Sequence, residues 1–146
     1  MRANRTFFAI AGLLLASAAS PAGAADKKTF IALLNGSQET PANTSQAFGV
    51  AFMTFDEATK MLCYAITHSR LEGGNEVAAH FHGPAEPDEA ADVVFAITPP
   101  GPTKKGCVGP LNGKQKKDLK KGHFYVNVHT QQFPGGEIRG QVLATK

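Results

Sequence analysis

The chain of 146 residues offers little that could cross a membrane or carry out catalysis. Its one long apolar stretch, Phe7 to Ala18, falls short of the roughly 20 residues needed to span a bilayer core as a helix, and no second such run follows. There is no G-x-S-x-G elbow, no H-E-x-x-H and no phosphate-binding glycine loop, so hydrolase, zinc-protease and nucleotide-binding chemistries have no basis in the sequence. Internal repeats and linkers are missing as well. Cysteine is limited to Cys63 and Cys107, and histidine does not occur between His82 and His123.

The N-terminus is informative. Arg2 and Arg5 precede the apolar run, and Ala22-Gly23-Ala24 closes it with a small-residue cleavage pattern. This predicts a signal peptide over 1–24 and export of residues 25–146 to the periplasm or out of the cell. A retained anchor is the alternative, and the Pro21-Ala-Gly-Ala break directly after the run speaks against it. Some 120 remaining residues make one core and are too few for two. Without Arg2 and Arg5 the chain has 13 basic and 12 acidic side chains, a net charge of +1.

Positive charge is nevertheless bunched at Lys104, Lys105, Lys114, Lys116, Lys117, Lys120 and Lys121, while Glu86, Asp88, Glu89 and Asp92 form an acidic loop. Export removes nucleic acid as a partner. The lysines read as the solvated face of a short helix, with contact to an anionic lipid or polysaccharide as the alternative. In an oxidising compartment an isolated cysteine pair is normally joined, so a Cys63–Cys107 disulfide is expected. A thiolate joining histidines in a copper site is the competing use of either cysteine.

Period-2 alternation dominates and predicts an all-β, antiparallel sandwich rather than βαβ units. Strands are expected at 29–34, 46–55, 61–68, 77–82, 93–97, 123–129 and 137–144, with 61–68 and 77–82 paired as neighbours. Phe48, Val50 and Phe52 fall on one face of the second strand, and Ala51, Met53 and Phe55 on the other. Pro99-Pro100-Gly101-Pro102 forbids strand continuation. Residues 112–121 form the one credible helix, anchored by Leu111 and Leu119 and ended by Gly122. Phe133-Pro134-Gly135-Gly136 joins the last two strands as a hairpin.

Alternation places His80 and His82 on one face of their strand, with Val77, Ala79 and Phe81 toward the core. On the 123–129 strand, Phe124, Val126 and Val128 face the core, and His123, Tyr125, Asn127 and His129 face away. An H-x-H pair supplies two imidazoles to one borderline cation, and His129 is the natural third ligand. A mononuclear copper or zinc site from His80, His82 and His129, with His123 or water completing it, competes with a metal-free role in which the histidines order strand ends. His68 is expected as an exposed strand-end imidazole, Glu86 and Asp88 as solvated carboxylates, and Glu137 with Arg139 as an ion pair.

Leu34-Asn-Gly-Ser-Gln-Glu-Thr-Pro41, Ala79-His-Phe-His-Gly-Pro84 and Tyr125-Val-Asn-Val-His-Thr130 with Pro134-Gly-Gly-Glu-Ile-Arg-Gly-Gln141 together resemble the CHRD (chordin-like) domain. Gly49, Tyr64 and Gly122 also sit where that family's pattern has them. The resemblance implies a single domain widespread among exported bacterial proteins; partners of its animal relatives do not carry over. The domain is also distantly similar to the Cu/Zn superoxide dismutase sandwich, which holds copper with an H-x-H strand and a later histidine. The gap without histidine between His82 and His123 leaves no residue to bridge a second metal, so dismutase activity is not expected. Three roles remain from the sequence: a non-enzymatic domain for metal handling or buffering; a periplasmic or extracellular structural module binding a protein or glycan without metal; and a weak redox enzyme at an open copper site, for which the sequence offers no substrate-pocket signal.

Overall fold

The computed structural model describes residues 27–146, so the signal peptide expected over 1–24 lies outside the described residues. The elements are β1 (Lys27–Asn35), β2 (Phe48–Asp56), β3 (Met61–Ser69), β4 (Glu76–His82), β5 (Val93–Ala96), β6 (Thr103–Val108), α1 (Gly113–Lys120), β7 (Tyr125–Thr130), β8 (Ile138–Gln141) and β9 (Leu143–Ala144). In β1 to β3 alternate residues point inward, giving the buried sets Phe30, Ala32, Leu34; Ala51, Met53, Phe55; and Leu62, Tyr64, Ile66. All pairings are antiparallel, in the order β5-β4-β7-β8-β1-β2-β3-β6, and β9 also pairs with β1.

The sheet folds over on itself. Tyr64 of β3 and Phe81 of β4 meet edge to face with ring centroids 5.7 Å apart, so the two ends of the sheet face each other across the core. The result is a nearly closed, sandwich-like all-β fold: β1-β2-β3-β6 form one layer and β5-β4-β7-β8 the other, in contact where Asn35 pairs with Arg139. Phe30, Phe55, Phe81, Phe124, Leu62 and Ile138 are essentially dry. Each such side chain contributes about 2 kcal/mol in transfer terms.

The short helix is as expected. Asn112 caps it by accepting from Gln115 N, while the Gln115 side chain accepts from Asn112 N. Gly122 follows it at φ 79°, and Leu111 and Leu119 are buried beneath. Cys63 and Cys107 lie directly opposite in the β3–β6 register and are joined by a disulfide. Among the described residues, no helix is long and apolar enough to cross a membrane.

Three expectations need correction. Strands β3 and β4 do not pair; β3 lies between β2 and β6, and β4 between β5 and β7. Val77 does not face the core but is exposed, because the β4–β7 register shifts between Glu76 and Ala78. Strand β6 was not anticipated at all: of its inward positions Lys104, Gly106 and Val108, only Val108 brings a hydrophobic side chain to the core. Gly106 is needed because a Cβ there would stand 2.6 Å from the Tyr64 hydroxyl.

Candidate metal centre

Strands β4 and β7 run side by side, with Ala78 opposite His129, His80 opposite Asn127 and His82 opposite Tyr125. The pleat therefore turns His80, His82 and His129 to the face opposite Ala79, Phe81, Val126 and Val128. Among the described residues these three histidines form the one group able to hold a metal ion, with a ligand atom from each within 4.8 Å of the others. A bound ion about 2 Å from each nitrogen requires mutual distances nearer 4 Å or less, so the rings must close up by about 1 Å on binding.

Backbone carbonyls set the ring orientations. His82 Nδ1 lies 2.9 Å from Ala91 O, and His129 Nδ1 lies 3.0 Å from Pro134 O. A carbonyl only accepts, so both Nδ1 atoms carry the hydrogen and both Nε2 atoms present lone pairs. This is the orientation in which metal-ligating histidines are usually held. His82 Nε2 is buried without a partner. His80 Nδ1 is 3.1 Å from His129 Nε2 and donates into that lone pair. To ligate through Nδ1, His80 must shift its hydrogen to Nε2, a change of tautomer that releases no proton.

Burial lowers the pKa of all three imidazoles below the usual value, and in His82 and His129 their carbonyl partners oppose the shift. At neutral pH the rings are therefore uncharged, which is the ligating form.

A stack supports the site from one side. The His82 ring lies parallel to Tyr125, centroids 4.9 Å apart, and the Arg139 guanidinium sits 3.7 Å over the Tyr125 ring. Arg139 also donates to the carbonyls of Glu89 (2.7 Å) and Glu86 (3.2 Å), and Ala91 N donates to the Tyr125 hydroxyl. These bonds hold the loop that presents Ala91 O to His82.

Neighbouring polar groups fill out the same layer. Glu39, 6% exposed, accepts from Asn127 Nδ2, while Glu39 Oε1 and Asn127 Oδ1 are buried and unpartnered. Burial pushes the Glu39 carboxyl up to about 7, against the pull of Asn127 and Arg139. Glu76, also in β4, has one carboxylate oxygen contacted by His68 Nε2 (2.6 Å), Lys104 Nζ (2.5 Å) and Gly101 N (3.0 Å). Burial raises its pKa, but those donors outweigh it and hold the carboxyl below its usual value. A hollow of ≈ 580 Å³ adjoins this cluster, away from the three histidines, between Arg70, Asn75 and Pro100–Pro102.

Several expected residues fall elsewhere. His123 does not join the cluster: β7 begins at Tyr125, and His123 instead pairs with Glu86 Oε1 at 2.8 Å. His68 is buried rather than exposed, because β6 and Glu76 cover the end of β3. Lys104 is 4% exposed and neutralises Glu76 instead of solvating a helix face. Glu137 and Arg139 form no ion pair. Glu137 accepts from Ser45, Glu72, Gly73 and Thr130, and Arg139 serves the loop and stack described above. The disulfide uses both cysteines, so neither serves as a thiolate ligand.

The three sequence segments singled out above converge here: Glu39 comes from the first, His80 and His82 from the second, and Asn127, His129 and Arg139 from the third. A family model described as CHRD domain matches residues 30–142 of the chain. No curated protein and no solved structure gives a significant match.

Proposed function

The chain belongs to the CHRD domain family, and from that premise we propose that it is an exported, non-enzymatic metal-handling domain that binds one copper or zinc ion through His80, His82 and His129. The proposal rests on one observation: three neutral imidazole nitrogens from adjacent strands surround one point, two of them aimed by backbone carbonyls. An all-nitrogen donor set suits a borderline cation and is poor for magnesium or calcium, which take oxygen. The N-terminal signal pattern supports export to the periplasm or beyond. His80, the least buried of the three, is the side from which an ion enters.

Titration of the purified protein with Cu²⁺ and Zn²⁺, followed by elemental analysis, tests the proposal. One ion per chain is expected, and replacing His80 and His82 together with alanine abolishes stoichiometric binding while the β-sheet circular dichroism persists. Binding that is undiminished in the double variant, or absent in the wild type, refutes it and favours the metal-free interaction module.

A further inference from the structure

The histidines sit on the outer face of the β5-β4-β7-β8 layer, where loops cover much of the sheet. The outer face of the other layer is bare. Register places Leu143, Ile31, Phe52, Ala65 and Lys105 in one row across it, and Leu33, Val50, Thr67 and Thr103 in the next. Phe48 follows on β2. Over β1, β2 and β3 these two rows contain no charge.

Leu33 (61%), Phe48 (55%), Phe52 (58%) and Leu143 (54%) are large side chains left in water. At roughly 100 Å² apiece, and with Ile31, Val50 and Ala65, they form an apolar patch of about 500 Å², near the upper limit for a monomer. Two such faces together bury about 1,000 Å², enough for a specific interface once the threonines of the rim are added.

The relief of the face points the same way. Phe52 stands between two shallow hollows: one of ≈ 180 Å³ bounded by Val50, Ala65 and Thr103, and one of ≈ 310 Å³ bounded by Thr54, Ala65 and Cys63. A prominent ring beside a hollow of aromatic size is complementary to its own image, as a two-fold contact requires. The charge at the rim is mixed in sign rather than uniformly basic. Lys27 stands opposite Asp56 at one end of the face, and Lys105 at the end of the first row is a single cation beside it. An anionic lipid surface would favour an unopposed cationic rim; a second copy of the chain does not need one.

We propose that this face is a dimer contact in which Phe52 of each copy enters the hollow beside Ala65 of the other. The two layers pack face to face about 10 Å apart, and both histidine clusters are left on the outside of the dimer. The contact involves none of His80, His82 and His129, so it stands or falls independently of the proposed function.

Sedimentation velocity of the full chain as purified, with a chelator present, over ~1 to ~100 µM tests it. A concentration-dependent monomer–dimer equilibrium is expected. Phe52→Glu places an unpaired charge at the centre of the contact and raises the dissociation constant at least about 100-fold. Leu33→Thr with Phe52→Thr, which keeps strand-forming residues, weakens it in the same direction and guards against misfolding of the glutamate variant. A wild-type monomer at the top of the range overturns the proposal, as does a dimer unaffected by both variants. A monomer that instead floats with phosphatidylglycerol vesicles, and loses this with Phe52→Glu, overturns it in favour of a lipid surface.

Discussion

Replacing Glu39 with glutamine should make the protein more stable at pH 8 and leave it nearly unchanged at pH 5. The folded carboxyl titrates at about 7 against 4.5 unfolded. Between those values the native state holds a proton that the unfolded state has lost, so stability falls as pH rises from about 4.5 to about 7 and is then level. A displacement of this size corresponds to at most about 3 kcal/mol. Glutamine must itself be buried, so a gain of roughly 1 to 2 kcal/mol is the reasonable expectation. The structure supplies the reason for the gain. Glu39 Oε1 and Asn127 Oδ1 are both orphaned acceptors crowding Gly136, where a Cβ would stand 2.7 and 2.4 Å from them. A protonated acid or an amide brings the missing donor; a carboxylate cannot. Thermal unfolding with a chelator present, at both pH values, reads the difference, with the midpoint rising by roughly 5 °C at pH 8 alone. An equal change at both pH values, or none at pH 8, would show that Glu39 is ionised in the fold and that Arg139 compensates it.

Metal binding should persist as pH falls past 6.5 and be lost only lower, because burial holds His80, His82 and His129 below the ordinary imidazole value and protonation abolishes ligation; competition titrations across pH 4 to 8 check this, and a loss centred above about 6.5 contradicts it. Reduction of Cys63–Cys107, which closes a loop of sequence separation 44, should lower stability by up to about 4 kcal/mol in urea unfolding, and alkylation without reductant should leave the mass of the native protein unchanged. Glu76→Gln strands the buried Lys104 ammonium and should cost about 3 to 5 kcal/mol at neutral pH. Because the folded Glu76 carboxyl titrates below its unfolded value, its contribution is present above about 4.5 and lost as pH falls through the lower, folded value. The wild type and the variant should therefore converge in acid, as denaturation curves at pH 3 and 7 will show.

The histidine cluster was legible because it needs only a period of two: within a strand, parity alone puts His80 with His82 and turns His129 away from Val128. The rule fails for His123, where the chain is still leaving α1 and His123 N bonds Asp118 O rather than a strand partner. Strand β6 was hidden because lysine and glycine occupy two of its three inward positions, so no clear alternation of hydrophobicity marks it. Glu76 has the parity of His80 and His82 in sequence, but the irregularity between Glu76 and Ala78 turns it instead toward His68 and Lys104, which come from strands that pair elsewhere, so patterning did not reveal its partners. Arg139 read as the partner of Glu137 in an ion pair, and Tyr125 as a strand aromatic on the non-core face. Tyr125 stacks on His82 through the β4–β7 register and Arg139 reaches the Tyr125 ring through the β7–β8 register, neither of which hydrophobic patterning alone reveals.

The position of β1 in the sheet also bears on the order of assembly. The first described strand is held by β2 on one side and by β8 and β9, the last strands of the chain, on the other, and the side chains of Thr29 and Thr145 meet at its start. β8 and β9 lie far along the sequence from β1, and that long separation makes their pairing slow. Until they have paired β1 keeps one open edge, and until β7 has docked on β4 the imidazole triad lacks its third member. A chain cut short before Ile138 thus leaves β1 without its second neighbours and should not hold the sheet on which β7 presents His129.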